Sequence, residues 1–183
     1  ILKQADVVML TYMLPEQFTP AQCLANLNFY EPRTIHDSSL SKAIHGIVAA
    51  GCGDTDTAYR FWREGADIDL GCDPHACDDG IHAAATGAIW LGAIQGFAGL
   101  SVRQGALHLS PRLPHSWQQL DFPLRWQGVS LHITLDAQQI RIRSTHPITL
   151  YLNQQPLTVD GELTCLLRDF YLPTSGTATT EGH

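Results

Sequence analysis

Three short segments of this chain carry side chains that could bind a sugar hydroxyl or a small anion. Lys3 and Gln4 precede the first predicted helix, Ser38 and Ser39 lie at the start of the third, and His82 lies at the start of the fifth. The first backbone N–H groups of a helix have no partner within it, and the positive end of the helix dipole attracts negative charge. Donors at such ends would form a pocket for an anion or a sugar if the three ends lie together.

Each of these segments also has a simpler interpretation. Ser38, Ser39 or Asp37 can serve only as the N-cap of the third helix, His82 can be a satisfied core histidine, and Lys3 can be a solvated surface lysine. Only the convergence of all three segments favours a binding site, and that convergence depends on the directions in which the helices run.

Hydrophobic residues recur with a period of 3.6 in the first hundred residues, which predicts helices. Pro15, Pro20 and Gly53 mark three of the helix ends. Helices joined by short loops alternate in direction, so the first, third and fifth should start at the same end. Thr86 lies about one turn into the fifth helix, whose apolar run over residues 83–98 predicts burial nearly all round. The five predicted helices span residues of about 5–14, 20–30, 37–51, 54–66 and 81–100.

Beyond Gly105 the apolar residues alternate with polar ones, which is typical of half-buried β-strands. This pattern predicts a small antiparallel β-domain with one solvent-exposed face. The chain therefore divides into a mainly α part, 1–105, a β-domain, 106–172, and a polar tail, 173–183, which we expect to be disordered. The alternating segments are residues 107–109, 120–124, 129–135, 140–143 and 148–152.

The charge balance and hydropathy exclude several classes of protein. The chain has 11 Lys and Arg residues against 18 Asp and Glu, a net charge of -7, and no basic cluster, so we expect no nucleic-acid partner. No apolar run reaches the roughly 20 residues of a membrane-spanning helix, and the first residues do not resemble a signal peptide, so we expect no membrane and a cytoplasmic location. The chain starts at Ile1 rather than Met, which suggests an upstream region.

The five cysteines are odd in number and scattered, which favours reduced thiols over a disulfide framework. Cys72 and Cys77 have CxxxxC spacing, and no second Cys or His pair lies at a matching interval. A zinc site needs four ligands, so we expect no metal and no cofactor.

Several segments in order along the chain resemble glycoside hydrolase family 65, which contains maltose, kojibiose, nigerose and trehalose phosphorylases and some trehalose-type hydrolases. The resemblance covers about residues 1–150. It is carried by residues 3–8 (KQADVV), 29–34 (FYEPRT), 36–41 (HDSSLS), 80–82 (GIH), 96–100 (GFAGL), 109–114 (LSPRLP) and 120–124 (LDFPL), together with Trp117.

This resemblance implies that the chain supplies the last five helices of an (α/α)6 barrel and a C-terminal β-domain. Family members cleave an α-glucosidic bond with inversion, using inorganic phosphate as co-substrate and giving β-glucose 1-phosphate. By similarity, Lys3 and Gln4 would hold the transferred glucose, and Ser38, Ser39 and His82 would bind phosphate. The general acid would lie upstream of Lys3, so this chain would be inactive alone. Its partners would be a disaccharide, inorganic phosphate and the remainder of the barrel, with a homodimer as in related enzymes.

The sequence departs from the family pattern in the fifth helix. Many relatives carry a serine three residues after the histidine, where this chain has Ala85; the hydroxyl of Thr86 is the expected replacement as a phosphate ligand. This departure keeps a hydrolase of the same fold open as an alternative, because water could replace phosphate as the nucleophile. A non-catalytic fragment that binds carbohydrate is the third interpretation.

Overall fold

The computed structural model describes residues 1–71 and 80–170, and its first half is helical. The five helices predicted from the sequence are present. The fourth helix is longer than expected, since it continues past Ala66 to Leu70. The helices are α1 Asp6–Met13, α2 Pro20–Tyr30, α3 Ser41–Cys52, α4 Thr55–Leu70 and α5 Ala83–Leu91, with short 3-10 turns at Pro15–Gln17 and Glu31–Arg33.

Local sequence signals explain where these helices begin and end. The Thr19 side chain accepts from the backbone of Gln22, and the Gln22 side chain accepts from the backbone of Thr19, which forms a capping box at the start of α2. The Asp54 side chain caps α4 by accepting from the N–H of Thr57. The helix α3 ends at Gly53, which adopts a φ of 91° that is accessible to glycine without steric cost.

The helix α3 lies at the centre of the helical part. Every residue from position 43 to position 50 is buried, and α1, α2, α4 and α5 all contact this helix. Gly46 allows α4 to approach closely, because a Cβ there would lie 3.2 Å from the Ala58 carbonyl oxygen and 3.3 Å from the Phe61 Cβ. A side chain at this position would therefore force the two helices apart.

The end of the fifth helix differs from the prediction of a continuous helix to residue 100. After Leu91 the chain forms a π-helix over Gly92–Phe97, in which the N–H of Ala98 donates to the carbonyl of Ala93 at 3.0 Å. The indole N–H of Trp62 donates to the Ile89 carbonyl at 2.9 Å. A side chain that takes an acceptor of the helical ladder is a known cause of such local unwinding.

The prediction that this helix is buried nearly all round is wrong for its first half. Thr86 is exposed and Trp90 is 57% exposed, whereas Ala85 and Ala88 are buried. Burial becomes nearly complete only in the π-helix, over Gly92–Phe97. The apolar composition alone could not reveal that, among the described residues, neighbours cover only one side of α5.

The β-domain contains two four-stranded sheets. The first has the order β1-β2-β6-β7 and the second the order β3-β4-β5-β8. All pairs are antiparallel except β2 with β6, which pair in parallel through His108 with Tyr151 and Leu109 with Leu152. The strands are β1 Ser101–Arg103, β2 Ala106–Leu109, β3 Leu120–Trp126, β4 Val129–Leu135, β5 Gln139–Ser144, β6 Ile148–Leu152, β7 Gln155–Val159 and β8 Glu162–Leu166.

Alternating strand residues from both sheets meet in one hydrophobic core, as the period of two predicted. The strand β1 precedes the predicted change of period at Gly105, and β7 and β8 follow the last strand predicted. The proposed disordered tail, 173–183, lies outside the described residues. The buried core residues of the strands are Leu107, Leu109, Phe122, Leu131, Ile133, Leu135, Ile140, Ile142, Leu150, Leu152 and Val159.

Arg112 and Gly99 help to join the helical part to the β-domain. The Arg112 guanidinium donates to the carbonyls of Ala50 and Gly51 in the last turn of α3, where the helix dipole favours a positive charge. Gly99 turns the chain from the π-helix into β1 at a φ of 61°, and a Cβ there would overlap the Ser110 backbone. The junction therefore requires glycine for both conformation and space.

We expect Gly99→Ala to lower the free energy of unfolding by at least about 2 kcal/mol, because both the φ and the Ser110 backbone oppose a Cβ. Urea denaturation measures this loss. Gly87→Ala is the matched control: it lies in α5 with nothing within 4 Å of the added Cβ, so it should leave stability unchanged or raise it by up to about 1 kcal/mol. Equal effects of the two substitutions would contradict the role of Gly99.

Candidate functional site

The first residues of the chain pair with the segment that precedes α3. Leu2 forms an isolated parallel bridge with Thr34, and its N–H donates to the Arg33 carbonyl at 2.8 Å. The N–H of Asp37 donates to the Lys3 carbonyl at 3.1 Å. The starts of α1 and α3 therefore lie at the same end of the helical part, as the alternation of helices predicted.

The side chains of Lys3 and Gln4 are exposed at this end. Lys3 Nζ lies 3.2 Å from Asp37 Oδ2, and Gln4 Nε2 donates to Asp6 Oδ1 at 3.3 Å. Exposed ion pairs contribute little free energy and are readily exchanged for other partners. Both side chains can therefore turn to a ligand at small cost.

Ser38 and Ser39 lie half-buried in the loop that leads into α3, which we call the serine loop (residues 36–41). The interpretation of these serines as plain N-caps is not supported: Leu40 occupies the N-cap position, and among the described residues no side chain caps α3. The N–H of Ser41 donates to the Ser38 carbonyl, and no side chain of the described residues accepts from the N–H groups that follow it in the first turn of α3, which lie beside the two hydroxyl groups. Such an arrangement is suited to bind an anion.

His82 lies at the N-cap of α5 and is held by Asp69, a residue that sequence reasoning missed. Its Nδ1 lies 2.8 Å from Asp69 Oδ1, and its backbone N–H donates to the same carboxylate at 3.1 Å. The hydrogen bond from His82 holds the pKa of Asp69 below its usual value. The carboxylate fixes the imidazole with Nε2 turned away from Asp69, as in oriented histidine ligands.

The Thr86 side chain has partners within the protein, and its role as a phosphate ligand stays a prediction. We expected its hydroxyl to replace a missing phosphate ligand, but Thr86 Oγ1 donates to Asp69 Oδ2 at 3.1 Å or to the His82 carbonyl at 3.3 Å. A hydroxyl has one proton, so in this arrangement none remains for an anion. Thr86 instead helps to orient Asp69. The neighbouring Ala85 is buried, so the change from serine at that position does not remove a hydroxyl from the exposed face of α5.

Helix packing places His82 at the same end as the other predicted residues. The helices α3 and α4 run antiparallel, with Lys42 near the start of α3 paired to Glu64 of α4 at 2.9 Å. Asp69 lies five residues beyond Glu64, or about 7.5 Å along the axis, towards the end where α3 begins. His82, bound to Asp69, therefore lies at the end that carries Lys3 and the serine loop.

A half-buried histidine of the serine loop, His36, packs on the fully buried His45 beneath the loop. His36 Nδ1 lies 2.9 Å from Ser41 Oγ, and the rings of His36 and His45 pack edge to face with centroids 4.6 Å apart. Both rings also contact Phe61. Within the described part of the chain, Nε2 of His36 and both ring nitrogens of His45 are buried without a hydrogen-bond partner.

Burial strongly affects the titration of this pair. His45 is fully buried, and desolvation, with a smaller contribution from nearby His36, lowers the pKa of His45 to about 4. Desolvation is also the largest cause that lowers the pKa of His36; Lys42 and Arg60 act in the same direction, and Glu31 and Glu64 oppose them. Both rings are therefore neutral at pH 7.

A separate cleft of about 580 Å³ lies away from these residues. It is formed between the turn that follows α1 and the first sheet, and Glu16, Arg103, His108 and Tyr151 line it. Since Glu16 follows the C-terminal end of α1, the cleft lies at the opposite end of that helix from Lys3. It does not include the side chains predicted to bind sugar or phosphate.

Residues 1–71 and 80–170 contain no group of three His, Cys, Asp or Glu side chains placed to hold a metal ion. Cys23, Cys52 and Cys165 are free thiols, whereas Cys72 and Cys77 lie outside the described residues. None of the described helices has the length and apolarity needed to cross a bilayer.

Two family sequence profiles match consecutive parts of this chain. The profile described as "Glycosyl hydrolase family 65 central catalytic domain" matches residues 1–91. The profile described as "Glycosyl hydrolase family 65, C-terminal domain" matches residues 100–159. The boundary between the two matches coincides with the change from helices to sheets.

Individual relatives agree with these matches. The kojibiose phosphorylase of Escherichia coli K12 is 72% identical over 179 residues, which are 98% of this chain and 24% of that protein. The 1,2-alpha-glucosylglycerol phosphorylase of Bacillus selenitireducens is 38% identical over 88% of this chain and 22% of its own length. A solved structure, described as a candidate kojibiose phosphorylase from the human microbiome, superposes with a TM-score of 0.84 at 30% identity, covering 90% of this chain and 24% of that one. The chain thus spans about a quarter of the length of these relatives.

We expect the buried histidine to make stability depend on pH. Since the unfolded state protonates His45 near pH 6.5 and the folded state only near pH 4, the unfolded state binds more protons between these values, and lowering the pH destabilises the protein. The loss integrates to about 3 kcal/mol. His45→Leu, which cannot titrate, should show a correspondingly weaker dependence when the free energy of unfolding is measured by urea denaturation across this window. Parallel curves for the two proteins would contradict this assignment.

Proposed function

Because this chain belongs to glycosyl hydrolase family 65, we propose that it forms the C-terminal quarter of an inverting disaccharide phosphorylase of the kojibiose type. In the proposed reaction, inorganic phosphate attacks the anomeric carbon of an α-glucoside while a general acid outside this chain protonates the departing oxygen. The products are β-glucose 1-phosphate and the second sugar. Phosphate takes the place of the water that an inverting hydrolase activates.

Exposed apolar side chains support the proposal that further helices complete the barrel. The helix α1 has apolar residues on all sides, yet its only buried residues are Val8 and Thr11. Leu10, Met13 and, in α5, Trp90 are exposed. A helix that is apolar all round is normally buried all round, and clustered exposed apolar groups mark contact surfaces. These faces fit the remaining helices of the proposed barrel.

The observation that carries the phosphate assignment is the uncapped start of α3 at the end that also bears His82. Ser38 and Ser39 supply two half-buried hydroxyls, and the α3 backbone supplies N–H groups that no side chain caps in the described residues. Charge-assisted hydrogen bonds from such donors are strong, and the helix dipole adds to them. We assign Ser38, Ser39 and His82 to phosphate, and leave Thr86 to orient Asp69.

Lys3 and Gln4 fit the glucose that is transferred. The ammonium of Lys3 is compensated by Asp37 at 3.2 Å, so it adds little net charge for a phosphate dianion. A lysine and an amide can still donate to sugar hydroxyls, which are neutral and need direction more than charge. The pair is therefore better suited to the sugar than to the anion.

One observation favours hydrolysis as a second candidate. Asp69 brings a carboxylate next to His82 and Thr86, and a carboxylate repels phosphate and can act as a base towards water. Against this, three hydrogen bonds from the protein already satisfy Asp69 and hold its pKa low, which weakens it as a base.

We expect the complete protein that contains this chain to release glucose 1-phosphate from kojibiose only when inorganic phosphate is present. The measurement is the sugar phosphate and the free glucose formed, with and without phosphate. Release of free glucose at an equal rate without phosphate would favour the hydrolase and contradict the phosphorylase.

We expect Ser38→Ala combined with Ser39→Ala to raise the apparent KM for phosphate by at least about tenfold, because two hydrogen bonds to a charged ligand are lost. The KM for the disaccharide should change far less. Steady-state kinetics with each substrate varied in turn measures both constants. Ser130→Ala, at an exposed serine of β4, is the control and should change neither. Equal increases in both constants would remove the serines from the phosphate site.

A further inference from the structure

The side chain of His36 closes the serine loop into a ring. Its Nδ1 lies 2.9 Å from Ser41 Oγ, and the loop between them carries Ser38 and Ser39. Inside this ring the N–H of Ser41 donates to the Ser38 carbonyl at 2.9 Å. Ser38 and Ser39 therefore lie in a loop whose two ends are joined by one side-chain contact.

His36 adopts a backbone conformation that is unfavourable for its residue type. Its φ is 52°, in the left-handed region that glycine occupies without strain and other residues rarely occupy. A glycine would satisfy the backbone equally well, so the backbone alone does not explain the histidine. The imidazole, which this conformation directs beneath the loop onto Ser41, does explain it.

The residues beneath the hydrogen bond between His36 and Ser41 are tightly packed. Ser41 and His45 are fully buried and Phe61 is 1% exposed, and the His36 ring packs on both His45 and Phe61. Dense packing of this kind leaves side chains little freedom to change rotamer. The packed interior of α3 and α4 therefore fixes the position of the serine loop.

The charges around His36 allow it to remain neutral. Glu31 and Glu64 raise the pKa of His36, whereas Lys42 and Arg60 lower it, so the effects of these charges oppose each other. These groups also pair among themselves: Lys42 with Glu64 at 2.9 Å and Arg60 with Glu64 at 3.3 Å. A neutral imidazole can accept a hydrogen bond from the Ser41 hydroxyl at Nδ1, which suits a fixed contact.

From this geometry we propose that His36 is a positioning residue: through Ser41 it fixes the serine loop so that Ser38 and Ser39 meet phosphate, without touching phosphate itself. The proposal rests on the proposed function of that loop. In this proposal His36, Ser41 and the underlying His45 together hold the serine loop in place, and they affect the affinity for phosphate rather than the affinity for sugar.

The test uses Ser41→Ala, His36→Gly and the double variant in the complete protein. His36→Gly is chosen because glycine keeps the backbone conformation and removes only the ring. We expect each single variant to raise the KM for phosphate by about fivefold to tenfold, with the KM for the disaccharide within about twofold. The double variant should raise the KM for phosphate no further than the more impaired single variant does, because both substitutions break the same contact. Ser41→Cys, which keeps the size and a weak hydrogen-bonding group, should recover part of the loss.

Two outcomes would overturn the positioning role. One is an equal rise in both constants, and the other is additive effects of the two single substitutions. Thermal melting identifies a variant that fails to fold, and the remaining single variant then decides through its two constants. A wild-type protein without phosphate-dependent release would instead defeat the proposed function and this inference with it, whereas a phosphate-dependent wild type with unselective variants would defeat this inference alone.

Discussion

The burial of α3 on all sides is the constraint on which the rest of this structure depends. Small residues in the middle of the helix let four other helices approach it, and Gly46 brings α4 closest. The start of α3 carries the serine loop, and its end is bound by Arg112 of the segment that leads into the second sheet. One buried helix thus ties the candidate site to the β-domain, and a shift of α3 would move both.

An aromatic cluster also joins the helices to the β-domain. The Trp62, Phe97 and Trp117 rings contact one another edge to face, with centroids 5.0 to 6.3 Å apart. Trp62 lies in α4, Phe97 in the π-helix and Trp117 in the connection between the sheets, so three parts of the chain meet there. The indole hydrogen bond of Trp62 to Ile89 also explains the unwinding of the fifth helix. The β-domain, which follows the helices in the sequence, therefore also stabilises them.

Features set by neighbouring residues could be predicted from the sequence, and features set by distant contacts could not. The start of α2 follows from Thr19 and Pro20, and the end of α3 follows from Gly53, because caps act within one turn. Helix alternation correctly placed the starts of α1 and α3 together. The parallel pairing of β2 with β6, and the packing of His36 and His45 on Phe61 of α4, join separate elements of the chain, which no local pattern encodes.

Two of the carboxylates at this end of the helices, Asp37 and Asp69, support the proposed division of its donors between sugar and phosphate. Asp37 pairs with Lys3, and Asp69 pairs with His82, so each of these two carboxylates is matched by a residue that could otherwise attract an anion. The uncompensated positive character then belongs to the start of α3, where backbone N–H groups and the serine hydroxyls need no counter-ion. A dianion would be drawn to that position, and a neutral sugar would meet the balanced Lys3 side. The distribution of charge at this end of the helices therefore supports an orientation with phosphate at the start of α3 and the sugar beside Lys3, rather than the reverse.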